Sequence, residues 1–110
     1  MPDRRDSAAG FLRRLSDPGY RLRGEDPSTA NVDEARRWER TYDALIAFKR
    51  ELLALCYRFA ELSDPEIARA IQEADIVLLE VQASRFQERR DYWRMRATEL
   101  AGSGRRGDAA

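Results

Sequence analysis

Histidine is missing from the chain altogether, and cysteine occurs once, at Cys56. The first absence removes the usual zinc ligand sets, the imidazole general base and the Ser–His or Cys–His nucleophile pairs. The second rules out an intramolecular disulfide. Cys56 lies on an apolar band and reads as a small core residue. Lysine is also nearly absent, with Lys49 alone, so basic charge is almost all arginine. The 20 basic and 20 acidic side chains balance, leaving no global field to draw in nucleic acid or an anionic membrane. Long apolar runs are lacking too. The longest, residues 52–57, falls far short of the roughly 20 residues that a membrane helix needs. At the amino end the apolar run Ala8-Ala9-Gly10-Phe11-Leu12 is too brief for a secretion signal. No glycine-rich phosphate loop, CxxC pair, HExxH or GxSxG is present. The expectation is a cytoplasmic protein that is not an enzyme and carries no cofactor or metal.

What remains is helix. An apolar fraction of 43% allows a core, while 36% charged residues suits slender helices with large solvated faces. Residues 31–101 read as two helices folded back on each other at residues 62–66. In the first arm Thr41, Leu45, Phe48, Leu52, Leu55, Phe59 and Leu62 follow alternating steps of four and three, a heptad seam. A second row, Tyr42, Ile46, Lys49, Leu53, Cys56 and Ala60, runs beside it. Together they form a band wider than one neighbouring helix can cover. The spacing therefore predicts a second neighbour, supplied by another copy of the chain.

Asn31 can cap the first helix, with Glu34 at its third position, and Asp33 and Glu34 suit the positive end of the helix dipole. At the reversal two registers are open. Ser63 caps with Glu66 three residues on, or Asp64 caps with Pro65 at the first helical position. Either way Pro65 cannot continue the first helix. In the second arm Ile67, Ile71, Ala74, Leu78 and Val81 hold one seam. Leu79, Ala83, Phe86, Arg90, Trp93, Ala97 and Leu100 then start a displaced one. We read the displacement as a change of partner along the helix. Antiparallel geometry brings the open ends together, so Trp38 and Tyr42 should meet Trp93 and Ala97. Glu34, Glu39 and Asp43 should lie beside the arginines of the second arm.

The predicted fold is all-α: a long, coiled-coil-like antiparallel helical hairpin that dimerises into a four-helix bundle. Its parts are a flexible arm at residues 1–30, a helix at 31–62, a turn at 63–65, a helix at 65–101 and a disordered tail at 102–110. Within the arm, residues 7–16 suit a short helix with Phe11, Leu12 and Leu15 on one side. The self-association and core positions are Leu45, Phe48, Leu52, Leu55, Phe59, Leu62, Leu78, Val81, Phe86 and Trp93.

One constellation suggests a ligand. Arg85, Arg89, Tyr92 and Arg96 share a helix face, and guanidinium planes beside an aromatic ring can clamp a phosphate or stack on a base. An all-helical enzyme in the style of the helical chorismate mutases would use buried arginine, lysine and glutamine. Lys49, Arg90, Gln82 and Gln87 are the suggestive residues here, and they match no signature. The expected function is a non-enzymatic interaction or regulatory module, a homodimer that binds a partner protein through residues 1–30. A sensor of a phosphorylated ligand or nucleotide is the alternative, and a small helical enzyme ranks last.

Overall fold

The computed structural model describes the backbone of residues 21–109 and the side chains of residues 21–103. The short helix expected at residues 7–16 lies outside the described residues. Helix α1 spans Val32–Glu61, α2 spans Pro65–Ala70, a π-helical segment covers Ile71–Ile76, and α3 spans Val77–Ala109. Among the described residues there is no strand.

Helix α1 starts where the capping residues place it. Asn31 is extended, and its side-chain oxygen accepts the Glu34 N–H at 3.1 Å. The Glu34 carboxylate turns to Thr29, whose hydroxyl donates to it at 3.0 Å. The Asn31 N–H donates in turn to Thr29 Oγ1 at 3.2 Å. Thr29 thus stands inside the capping box as a relay. At the other end the Ser63 hydroxyl donates to the Phe59 carbonyl at 2.8 Å. Of the two registers open to α2, the chain adopts the one with Asp64 before the helix and Pro65 in its first turn. The missing proline N–H costs little there. The Asp64 side chain makes no cap bond, and its carbonyl accepts the Ala68 N–H at 2.8 Å. Helix α3 runs past the stop expected at Ala101 to Ala109. Gly102 is not in the left-handed conformation that would end a helix, which among the described residues only Gly24 adopts.

The two arms run in opposite directions. Near the turn the Tyr57 hydroxyl donates to Glu80 at 2.7 Å. Further out, Arg90 meets Asp43 at 3.4 Å and Arg94 meets Glu39 at 2.9 Å. The core lies at the open end. Ala35, Trp38, Tyr42 and Ile46 of α1 are buried against Phe86, Trp93 and Ala97 of α3, with Leu22, Leu45 and Leu100 closing the edges. Trp38 and Trp93 stack with centroids 6.4 Å apart, and Tyr42 tilts against Phe86 at 5.8 Å. This is the aromatic cluster that the antiparallel geometry implies.

The inward row of α1 is the second one. Tyr42 and Ile46 are buried, and Lys49, Leu53, Cys56 and Ala60 are half-buried. The first row points away from α3. Phe48, Leu55, Phe59 and Leu62 keep 53%, 57%, 61% and 84% of their surface exposed, and Leu45 and Leu52 are half-buried. These positions are therefore not part of the core within one chain. The reason is Trp38: it extends the second row outward and locks that row against Trp93.

The displaced seam has a local cause. From half-buried Ile71 the next inward position is buried Ile76, five residues on, close to the repeat of a π-helix. After Ile76 the inward line continues through Leu79, Ala83, Phe86, Arg90, Trp93, Ala97 and Leu100, in steps of three and four. The apparent change of partner is thus a wide turn that re-phases the same helix. Ala74 and Val81, on the earlier seam, are exposed, and Leu78 is half-buried.

Candidate functional site

Two surfaces stand out, one on α3 and one on α1. The first is the predicted arginine face of α3, which residues 25–29 occupy. Residues 22–25 make a turn in which the Glu25 N–H donates to the Leu22 carbonyl at 3.0 Å. Gly24 sits at its third position with φ +84°, the conformation that a type II turn requires there. The Leu22 N–H donates back to Glu25 Oε1 at 3.2 Å. The turn so formed aims the Glu25 carboxylate between the two helices. Arg89 Nε donates to Oε2 at 3.2 Å and Trp93 Nε1 to the same oxygen at 3.0 Å. Arg89 Nη2 and the Tyr42 hydroxyl donate as well.

The Glu25 side chain has no solvent exposure and that of Arg89 has 12%. Burial alone would resist ionisation of Glu25. The hydrogen bonds from Tyr42, Arg89, Trp93 and the Leu22 N–H outweigh it and hold the carboxyl below the ordinary glutamate range. Burial, and then the Glu25 carboxylate it donates to, push the Tyr42 phenol well above its ordinary value.

Beyond Glu25 the segment continues along α3. Tyr92 donates to the Pro27 carbonyl at 2.5 Å, and Arg96 donates to the Thr29 carbonyl through Nε at 3.3 Å and Nη2 at 3.0 Å. The Arg89 guanidinium lies 4.7 Å from the Tyr92 ring centroid. Asp26 accepts from the Ser28 hydroxyl at 2.7 Å and the Ser28 N–H at 3.0 Å, which closes a second turn. Arg89, Tyr92 and Arg96 are therefore brought together on one strap of chain, while Arg85 pairs with Glu88 at 3.1 Å. The arrangement is an anion site whose anion is built in. Sequence reasoning found the donors and missed Glu25. The signal was Gly24-Glu25 followed by Asp26-Pro27-Ser28, two turn sequences in succession.

Comparison with family models, with curated proteins and with solved structures finds no match for this chain. Function is accordingly read from the surfaces themselves.

The second surface is the outward row of α1. Towards the turn it opens into a groove lined by Leu55, Cys56, Phe59, Ile71 and Asp75. On the second arm Ile67, Val77 and Val81 are exposed as well. No helix among the described residues is long and apolar enough to cross a membrane. The residue types considered for catalysis have structural surroundings. Arg90 is engaged by Asp43 and by Asp91 at 3.2 Å, Gln82 is buried, and burial lowers the Lys49 ammonium below its ordinary value.

Proposed function

We propose that the chain is a non-enzymatic interaction and regulatory module. In this reading a coiled-coil-like helical hairpin self-associates as a homodimer, two hairpins forming a four-helix bundle, and binds a partner protein. One observation carries it: Phe48, Leu55, Phe59 and Leu62, in one row, each keep more than half of their surface in water. Fully burying such a side chain contributes about 1.5–3 kcal/mol, so covering the row offsets a substantial part of the cost of association. A two-fold axis is the commonest way for one copy to cover another. The unpaired Cys56 suits a reduced, cytoplasmic setting. Replacing Leu55 and Phe59 together by aspartate tests the reading. The expected result is loss of self-association in light scattering, with helix content retained and a melting temperature that no longer depends on protein concentration. A wild-type chain that stays monomeric at high concentration would overturn it.

The second reading, a sensor of phosphorylated ligands or nucleotides at Arg85, Arg89, Tyr92 and Arg96, has its own support. The donors already converge on a carboxylate, so their geometry suits an anion. A ligand would have to displace Glu25. Thermal shift with a nucleotide panel, run on wild type and Glu25→Gln, checks this; no shift in either chain would sink it.

A further inference from the structure

The outward row of α1 carries charge on its flank. Leu45, Leu52 and Phe59 hold one core position of the heptad, and Phe48, Leu55 and Leu62 hold the other. Glu51 and Arg58 each stand one residue before a member of the first set, so they share one flanking position, seven residues apart. The opposite flank holds Lys49 and Cys56, half-buried in the row that turns towards α3. Glu51 and Arg58 therefore edge the row on the side away from α3, and both are exposed. Neither makes an ion pair or a side-chain hydrogen bond among the described residues.

We propose that two copies pair α1 against α1 in antiparallel order, Leu52 opposite the partner's Leu55, with Glu51 bonded to the partner's Arg58. This rests on reading the row as the self-association surface. Antiparallel helices set like flanks side by side, so a two-fold axis between Leu52 and Leu55 makes the Glu51 pair twice. Phe48 then meets the partner's Phe59, and Leu45 the partner's Leu62. Moving the register by one heptad keeps apolar layers in contact but fails on charge. In one direction Glu51 meets the partner's Glu51, and in the other Arg58 meets the partner's Arg58. A parallel pair sets these charges beside the partner's Cys56 and the partner's Ser63, where no opposite charge stands. Charge thus selects one arrangement among several that the apolar row alone allows. Helix α1 is also the better occupant of the row. The exposed apolar side chains of the second arm, Ile67, Val77 and Val81, are ten and four residues apart and form no row. The strap leaves the space open. Its bonds to α1 fall at Glu34 and Tyr42, and the overlap begins past them at Leu45 and runs to Leu62, about 26 Å of helix.

The experiment measures dimer dissociation of the full chain by sedimentation equilibrium, at low and at high salt. It compares wild type, Glu51→Arg, Arg58→Glu and the double variant, which keeps the wild-type net charge. Both positions are exposed, and circular dichroism confirms that all four chains have equal helix content. The expected result is severalfold weaker dimerisation of each single variant and a return of the double variant close to the wild-type value. High salt should narrow these differences. A double variant as weak as the two single effects combined assigns the two charges to separate partners and overturns the pairing. Equal dissociation of all four chains at low salt, with the wild type dimeric, overturns it as well. The row then pairs in another register or with the second arm, and self-association stands. A wild type that stays monomeric at every concentration overturns both the pairing and the self-association reading.

Discussion

Glu25 is one carboxylate with donors from four directions, and its removal should be felt locally. Losing hydrogen bonds to a charged group costs about 1.5–3 kcal/mol each, but the total is capped because the strap can detach and let Arg89 return to water. We therefore expect Glu25→Gln to free residues 22–29, read as faster amide exchange there, with little change in the α1–α3 pair. The pH dependence has a definite sign. Glu25 is held below its ordinary 4.5, so the docked strap binds fewer protons than the free one. Docking is favoured above that value and lost as pH falls below it, which Trp93 fluorescence should report. Gly24 makes a cleaner test of the turn. A Cβ there meets nothing within 4 Å, so Gly24→Ala acts only through its left-handed backbone, at about 1–2 kcal/mol. Trp93→Ala belongs to another class. It empties the centre of the core and should cost about 3–5 kcal/mol in thermal or urea unfolding.

At the scale of elements, the helix starts and the reversal were legible because single residues decide them. Asn31 with Glu34, and Asp64 with Pro65, act through local bonds that a sequence displays. Which row of α1 faces inward was not legible. Both rows are apolar at heptad spacing, and the choice falls to Trp38 and Tyr42, whose partners lie about fifty residues away in the chain. The displaced seam was visible, but its cause was not, since a step of five looks like a break in an α pattern. The structure makes a sharp statement about that step. Deleting exposed Ala74 shortens the step from Ile71 to Ile76 to four, which an α-helix satisfies, so helix content by circular dichroism and the melting temperature should hold. Deleting Ala83 instead rotates Phe86 and Trp93 away from α1 and should unfold the chain. Equal effects of the two deletions would contradict the role given to the wide turn. The arginine face was legible as anion-seeking because its donors share one helix. The partner that satisfies it comes from a separate stretch, where net charge is a poor guide to a single buried carboxylate.

Taken whole, the described fold has a Cα envelope of 67 × 38 × 15 Å, a single layer of two arms with its core at one end. The half near the turn relies on Ile76 and half-buried contacts, whereas the open half holds the aromatic cluster and the strap. Amide exchange should accordingly be slowest around Tyr42 and Trp93 and faster around residues 55–75 in the isolated molecule, and self-association should slow the latter. The strap also has a mechanical consequence. Tension applied at the amino terminus reaches Glu25 before Pro27 and Thr29, so the strongest attachment carries the force first and the weaker ones inherit it only after rupture. Release under load should therefore be a single abrupt event, and the lengthening it yields ends where Thr29 hands the strain to the first turn of α1.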